Sequence, residues 1–251
     1  MSTRLAVSGS NLTGDAPFSA ALSIGGAIHV VRSPAGERGD LTRLCQTLCE
    51  QHGLTPAQID EVVVDVGPGS YTGLRVAVTF VRFLQSFGNI PVQAVDSLAL
   101  LAHYACAQAP VDQSPVAQSP VDQNAVDQNA VHQAPGGQRA DGMRVRPLLD
   151  ARRGRYHTAR FEYKDGKLIE LEAANATNTE QVLASLEPGE RVVMPPAFAE
   201  QLREPLRERQ VEVVVARDLA ADALFAAGLP LFSAKSEDLE PRYLMATYAE
   251  D

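Results

Sequence analysis

The 251-residue sequence has no tryptophan and only three cysteines, Cys45, Cys49 and Cys106. Three cysteines cannot all pair, and two of them lie on one predicted helix, so we expect no structural disulfide framework. No stretch approaches the roughly 18 apolar residues of a membrane span, and the N-terminus lacks the long apolar segment of a secretory signal. We therefore expect a cytoplasmic protein that does not associate with membranes.

Positive charge is also scarce, with 22 Lys and Arg against 31 Asp and Glu and a net charge of −9. Phosphate contacts need basic residues in excess, which argues against a protein that holds nucleic acid through its overall charge. The five histidines form no His-x-x-x-His or His-Glu-x-x-His pair, which argues against a metallopeptidase. Apolar residues make up 45% of the chain, enough to bury a full core without disulfides or metals.

A five-residue repeat interrupts the chain between Ala109 and Gln138, with units such as APVDQ and NAVDQ. Its period matches neither a strand nor a helix, and Val and Ala are its only apolar side chains, so we predict a disordered insertion. The predicted domains are therefore an N-terminal lobe over residues 1–108, a low-complexity insertion over 109–138 and a C-terminal α/β lobe over 139–251.

The N-terminal lobe has strands first and helices after. Apolar runs over 4–8, 18–24 and 27–31 predict an antiparallel meander. A helical spacing of apolar residues then begins at Asp40, a predicted N-cap, and is followed by strand, helix, strand and helix up to residue 107. This order is typical of ribonuclease-H-like α/β domains. The C-terminal part alternates in the same way, with helices predicted near 179–186, 196–208 and 218–227, so we predict two α/β lobes.

A glycine-rich turn follows the apolar strand at Val62–Val66 and leads directly into a helix. Glycines let the backbone approach a ligand closely, and free N–H groups at a helix start attract anions. A P-loop, however, needs Gly-Lys-Ser/Thr where this chain has Gly73-Leu74-Arg75. Two interpretations stay open, a rigid turn without a ligand and an anion or nucleotide loop. The candidate loop residues are Gly67, Gly69, Ser70, Thr72 and Gly73.

Three motifs carry a resemblance to a known family. The first is GPGSYTGLR at 67–75, the second is Asp150-Ala151-Arg152-Arg153-Gly154 with Tyr156 two residues on, and the third is Pro241-Arg242-Tyr243-Leu244 near the end. Together they resemble the TsaB (YeaZ-type) family, the partner subunits of the bacterial tRNA threonylcarbamoyladenosine machinery. The resemblance covers both lobes, and it implies a two-lobed actin-like ATPase fold of the ribonuclease-H-like type with a reduced second lobe.

The resemblance also implies a function. A TsaB-type chain would be a noncatalytic subunit that pairs with and supports TsaD, the threonylcarbamoyltransferase that forms threonylcarbamoyladenosine next to the tRNA anticodon. TsaE would be a third protein, a second copy of the chain could replace TsaD when TsaD is absent, and tRNA would be reached only through the complex.

One departure from the family pattern supports a noncatalytic role. Many relatives carry Asp-Thr-Ser after the first strand, whereas this chain has Ser8-Gly9-Ser10 and so lacks a carboxylate there to orient magnesium and water. We expect the chain itself to require no cofactor, while ATP or ADP could bind at the complex. The alternative is a nucleotide-dependent phosphotransferase or ATPase of the actin-like superfamily.

Two further groups of residues are candidates for binding. The second motif, Asp150, Arg152, Arg153 and Gly154, could meet a phosphate or could simply solvate a strand edge. The helix after Gly73 is apolar on too many sides for one lobe to cover, which predicts a partner face. The predicted interface residues are Leu41, Leu44, Leu48, Val78, Val81 and Gln85.

A metal site is not predicted. Cys45, Cys49 and His52 fall on one helical face, and thiolates and imidazoles are zinc ligands. Three ligands from a single helix would make an unusual site, however, and these positions coincide with an apolar stripe in which free cysteines are commonly buried.

Overall fold

The computed structural model describes residues 2–13, 16–34, 39–108, 141–217 and 219–244. The predicted insertion over 109–138 lies outside these residues. The described strands are β1 (Thr3–Ser8), β2 (Ser19–Ile24), β3 (Ala27–Arg32), β4 (Glu61–Asp65), β5 (Val92–Val95), β6 (Met143–Asp150), β7 (Arg155–Lys164), β8 (Lys167–Asn178), β9 (Arg191–Met194), β10 (Glu212–Val215) and β11 (Phe232–Ser233). The described α-helices are α1 (Leu41–Gln51), α2 (Tyr71–Gly88), α3 (Ser97–Ala107), α4 (Thr179–Ser185) and α5 (Pro196–Glu208).

The first sheet has the strand order β11-β5-β4-β1-β2-β3. The predicted antiparallel meander is confirmed, since β1 pairs with β2 and β2 with β3 in antiparallel register. Strands β4 and β5 add to β1 in parallel, with Val7 opposite Val64. Both faces of the central strands are covered, which explains why these strands are continuous apolar runs.

The two faces of this sheet meet different helices. Leu5, Val7 and Val64 lie in a core with residues of α1 and α2, whereas Ala6 and Val63 lie in the core on the opposite face, with residues of α3. Helix α1 begins at the predicted N-cap, because the Asp40 carboxylate accepts a hydrogen bond from the Arg43 amide at 3.0 Å. Alternation of side chains along each strand therefore divides the core of this lobe into two layers.

The second sheet has the order β10-β9-β6-β7-β8. Strands β7 and β8 form a hairpin at Asp165-Gly166, where both residues have positive φ, as a type I′ turn requires. Helix α3 packs on β6, β7 and β9 as well as sharing its core with the first sheet. It is buried over most of its length, so one helix joins the cores of the two lobes.

The C-terminal segment differs from the prediction. In place of a helix near 218–227 the chain forms a short 3₁₀ turn at Ala221–Phe225, which packs on strands of the first sheet. Strand β11 then pairs with β5 of that same sheet. This segment therefore packs with the first lobe, although the predicted C-terminal lobe, residues 139–251, includes it. Within the described ranges, no helix is long and apolar enough to span a bilayer.

Candidate functional site

A buried polar cluster lies where β1 and β4 end side by side. Asp65, the last residue of β4, is fully buried and accepts a hydrogen bond from the Ser8 hydroxyl at 3.0 Å. The Ser10 hydroxyl donates to the same carboxylate oxygen. Burial raises the pKa of Asp65 to about 6, although the hydrogen bonds from Ser10 and Ser8 act in the opposite direction. The hydrogen bonds from Ser8 and Ser10 hold the loop after β1 against the end of β4.

Sequence reasoning missed Asp65, although a carboxylate that ends the run Val62-Val63-Val64 was visible in the sequence. The chain thus lacks an acid at the end of β1 but has one, Asp65, at the end of the neighbouring strand β4. Asp65 has no exposed surface in this structure, where its carboxylate accepts hydrogen bonds from Ser8 and Ser10.

The space beside the β1 loop is small. Its lining includes Ser8, Asn11, Thr13, Arg32 and Leu219, and its volume is about 20 Å³. A cavity of this size holds about one water molecule. The space that the described residues enclose here is therefore smaller than a nucleotide.

The glycine-rich turn packs against its own protein. A Cβ at Gly69 would lie 2.7 Å from the Ser10 carbonyl oxygen, and one at Gly67 would lie 3.0 Å from the Arg242 carbonyl oxygen. A Cβ at Gly73 would overlap the carbonyl of Gly9. The glycines are thus required by close approach of protein backbone, which supports the rigid-turn interpretation.

The start of α2 is capped within the turn. The Ser70 hydroxyl accepts a hydrogen bond from the Gly73 amide at 3.3 Å, as an N-cap residue does. Thr72 is exposed in the first turn of the helix. Ligand binding by Gly67, Gly69, Ser70, Thr72 and Gly73 stays a prediction, since the geometry of the turn is explained by protein contacts alone.

The C-terminal motif meets this turn. The Arg242 amide donates to the Val66 carbonyl at 2.6 Å, and its guanidinium donates to Asp96 at 2.6 Å. The Tyr243 ring lies 4.9 Å from the Tyr71 ring, centroid to centroid. Two motifs that are about 170 residues apart in the sequence thus form one surface, a contact that sequence reasoning did not identify.

The second motif forms the turn between β6 and β7. The Asp150 carboxylate accepts a hydrogen bond from the Arg152 amide at 2.7 Å. Arg152, Arg153 and Gly154 follow with φ of 63°, 54° and 70°, and all three are exposed. Asp150 therefore shapes a strained left-handed turn, and both interpretations of its arginines, a phosphate contact and a solvated edge, stay predictions.

The predicted partner face needs a correction. Leu41, Leu48, Val78 and Val81 are at most 2% exposed and lie in the core beneath the first sheet. Leu44 is half-buried against that core. The helical spacing identified an apolar stripe correctly, but that stripe faces the sheet.

Gln85, the sixth predicted interface residue, is half-buried and donates a hydrogen bond to the Ala234 carbonyl at 2.9 Å. The excess of apolar side chains on α2 instead faces outward at Val76, Phe83 and Phe87, which are 41%, 58% and 78% exposed. The Phe83 and Phe87 rings lie 4.5 Å apart. We call Val76, Phe83 and Phe87 the outer stripe of α2.

The cysteine-rich face of α1 belongs to the core. Cys45 and Cys49 are buried, and burial raises the pKa of both thiols. No three His, Cys, Asp or Glu side chains come together as a metal-ligand set within the part of the chain that the structure describes. Neutral, buried thiols are poor metal ligands, because a metal binds the thiolate.

The two sheets, with α1 and α2 on one side and α3 shared between the lobes, define an α/β protein of the actin-like, ribonuclease-H-like class. The structure of YeaZ from Pseudomonas aeruginosa has this fold, with a TM-score of 0.68, 20% identity, and coverage of 97% of this chain and 100% of that one. A second structure, of an uncharacterized protein with similarity to peptidase YeaZ from Pseudomonas aeruginosa, has a TM-score of 0.68 at 21% identity, covering 98% of this chain and 100% of that one.

Comparison of sequences gives relatives of the same kind as comparison of structures. The family model of TsaD, tRNA N6-adenosine threonylcarbamoyltransferase, matches residues 38–121. The tRNA threonylcarbamoyladenosine biosynthesis protein TsaB of Bacillus subtilis (strain 168) is 30% identical over 118 residues. That match covers 47% of this chain and only 37% of the Bacillus protein. The chain is thus similar in sequence, over about half of its length, to a TsaB protein, and similar in fold over nearly all of it to YeaZ.

Proposed function

We propose that this chain takes part in forming threonylcarbamoyladenosine next to the tRNA anticodon, as a noncatalytic subunit that pairs with and supports a TsaD-type threonylcarbamoyltransferase. The observation that carries the proposal is the outer stripe of α2. Aromatic side chains that are more than half exposed and lie together on one helix are typical of a surface that a partner covers.

The position of the stripe supports a helix-to-helix contact. Helix α1 lies beside α2, but its outward residues Thr42, Arg43 and Gln46 are polar. The apolar centre of the contact therefore lies on α2 and its polar rim on α1. Helix pairs of this kind can assemble with two helices of a partner into a four-helix arrangement.

The buried cluster at the strand ends supports a noncatalytic role. Ser8 replaces the acid of β1, and the nearest carboxylate, Asp65, is sealed from solvent. The same features argue against the alternative, a nucleotide-dependent phosphotransferase or ATPase. In this proposal ATP or ADP would bind at the complex, TsaE would join as a third protein, and tRNA would be reached through the complex.

Association with the cognate TsaD-type subunit tests the proposal directly. The wild-type chain should form a one-to-one complex on gel filtration with light scattering at micromolar concentration. Phe83→Asp with Phe87→Asp would bury unpaired charges and should weaken the complex by a few kcal/mol, about a hundredfold or more in Kd. The control is Ile169→Asp on β8, since Ile169 is similarly apolar and 43% exposed. Loss of binding in the control, or none in the double variant, would contradict the proposed face.

Enzyme assays separate the two functions. With tRNA and threonylcarbamoyl-adenylate, the TsaD-type subunit should form more product when the wild-type chain is added, and the Phe83/Phe87 double variant should give no such increase. The isolated chain should not turn over ATP. Turnover that persists through purification and disappears in Thr72→Ala would favour the phosphotransferase or ATPase.

A further inference from the structure

The turn between β6 and β7 concentrates positive charge in an acidic chain. Residues 150–155 contain three arginines and one aspartate, so three minus one gives a local net charge of +2, whereas the whole chain has −9. Arg152, Arg153 and Arg155 are all exposed. The Arg155 guanidinium donates to the Ala176 carbonyl on β8 at 3.0 Å. Among the described residues, no hydrogen bond or salt bridge is made by the Arg152 guanidinium, which is therefore available to a ligand.

Two of these arginines are held in a backbone conformation that disfavours them. Arg152 and Arg153 have φ of 63° and 54°, the left-handed region in which the Cβ of an L-residue is strained and glycine is not. The hydrogen bond to Asp150 that shapes the turn uses the Arg152 amide, so it does not need the arginine side chain. Glycine would form the same turn with less strain, and strain of this kind is commonly found at binding sites.

A buried polar group lies at the base of the turn. His157 is two residues beyond Arg155 on β7, so the two side chains share a face of the sheet. His157 is 9% exposed, and its Nδ1 atom has no hydrogen-bond partner among the described residues. Burial lowers the pKa of His157, Asp150 acts in the opposite direction and Arg155 lowers it further. Since buried polar groups are nearly always hydrogen-bonded, the chain leaves a second polar group beside the arginines without an internal partner.

We propose that Arg152 and Arg153 bind phosphate groups of an RNA backbone, where the choice of RNA rests on the function proposed above. The planar guanidinium group binds two phosphate oxygens at once. Arg152, Arg153 and Gly154 are exposed at the tip of a hairpin, whereas a small nucleotide is bound in an enclosing pocket. An RNA backbone presents its phosphates on its surface and can meet such a tip.

The acidity of the rest of the chain limits this contact to the turn. A net charge of −9 repels a polyanion over most of the surface. The turn would therefore strengthen RNA binding by the complex with a TsaD-type subunit, and it would bind RNA only weakly in the isolated chain.

The salt dependence of tRNA binding tests the contact. The complex of this chain with its cognate TsaD-type subunit is titrated against labelled tRNA from about 50 to about 200 mM salt. Arg152→Ala with Arg153→Ala should reduce the slope of log K against log salt by about 1.4 to 1.8, because each lost phosphate contact removes about 0.7 to 0.9. Equal slopes for wild type and this variant would overturn the proposal.

The hairpin at the other end of β7 provides the matched control. Lys164 and Lys167 are exposed on either side of its turn. Lys164→Ala with Lys167→Ala removes the same charge and should leave the slope unchanged. Arg152→Lys with Arg153→Lys keeps the charge and should keep most of the slope. If the lysine-to-alanine variant lowers the slope as much as the arginine-to-alanine variant, the effect is one of overall charge and the proposal fails.

Stability separates binding from a role in the turn itself. Arg152→Gly should raise the urea midpoint of unfolding, because glycine adopts the left-handed backbone without strain. The same change should weaken tRNA binding by the complex at least about threefold. A lower urea midpoint in Arg152→Gly would show that the fold needs the arginine side chain, which contradicts the proposal.

Two further outcomes keep this proposal apart from the docking role. If the complex forms and the slopes agree, the RNA contact is overturned and the docking role stands. If no complex forms, the docking role fails, and the isolated chain at low salt decides the RNA contact: wild type should bind labelled tRNA at least about fivefold more tightly than Arg152→Ala with Arg153→Ala. Competition by polyglutamate as strong as that by unlabelled tRNA would assign the turn to an acidic protein surface and overturn the choice of RNA.

Discussion

The hydroxyl of Ser8 donates a hydrogen bond of 3.0 Å to the carboxylate of Asp65, across the ends of two neighbouring parallel strands. The resemblance to TsaB implied that an acid is missing from β1 of this chain. The structure has an acid one strand away, turned inward and used to hold the β1 loop in place. The carboxylate of Asp65 therefore makes a structural contact, and its pKa can be measured through folding stability.

The first prediction concerns the pH dependence that Asp65 confers. Its pKa is about 6 in the folded protein, against 3.8 for an ordinary aspartate. Because the folded pKa is raised, Asp65 contributes stability that is fully present below pH 4 and is lost as the pH rises to about 6. The loss is about 3 kcal/mol, at about 1.4 kcal/mol per pKa unit.

Asp65→Asn removes this titration. Urea unfolding of wild type and variant should be measured from about pH 3.5 to about pH 8. The stability difference, wild type minus variant, should fall between about pH 4 and about pH 6 and stay constant above. The other acids titrate in both proteins and cancel in the difference. A difference that is constant with pH would show that the folded pKa of Asp65 is not raised.

The second prediction concerns the glycine-rich turn. Gly73→Ala places a methyl group against the Gly9 carbonyl, which is backbone and cannot move aside as a side chain would. We expect a loss of about 3 kcal/mol or more in the free energy of unfolding. Thr72→Ala is the matched control in the same helical turn, and it should change stability by less than about 1 kcal/mol. Equal stability of wild type and Gly73→Ala would mean that the turn is not closely packed.

The third prediction concerns a buried ion cluster on the second sheet. Glu190 has no exposed side-chain surface and accepts from Arg160 at 2.9 Å, with the Arg146 guanidinium 3.3 Å away. Glu190→Ala would remove the buried carboxylate and leave the two guanidinium groups only the partly exposed Glu172 and Glu187, and it should cost about 3 kcal/mol.

A surface pair provides the comparison for Glu190. Glu200→Ala removes the carboxylate of the exposed Arg203–Glu200 pair, and such pairs contribute at most about 1 kcal/mol. Calorimetry or urea unfolding of both variants checks the contrast. Similar small losses in the two variants would show that water readily replaces the Glu190 carboxylate as a partner of the two arginines.

The fourth prediction concerns the five-residue repeat. Deleting Ala109–Gln138 should change the free energy of unfolding by less than about 1 kcal/mol, since the segment has little apolar surface to bury and long connections cost little. The described flanks are held independently, because Arg191 donates to the Gln108 carbonyl at 2.9 Å and the Gly142 amide donates to Tyr163 at 2.8 Å. A loss of several kcal/mol would show that the repeat packs on the protein.

Local signals in the sequence predicted most of the elements. Helix α5 has the predicted bounds, and the meander of β1 to β3 is where its apolar runs placed it. The N-cap at Asp40 was also predicted. These features depend on residues within a few positions of each other, which is the range over which helical and strand periodicity, caps and turn residues act.

The sequence by itself determined which residues of α2 are apolar, but only the tertiary structure decided which of them are buried. Val81 packs under the sheet and Phe83 faces solvent, although both are apolar and two residues apart. The rotation of a helix that is apolar on several sides depends on the sheet beneath it, and strands β1, β4 and β5 are far apart in the chain. The Asp65 contact with Ser8 and the Tyr71 contact with Tyr243 depend in the same way on strands and segments that meet only after folding, because burial and long-range contacts are properties of the assembled core and not of any local run of residues.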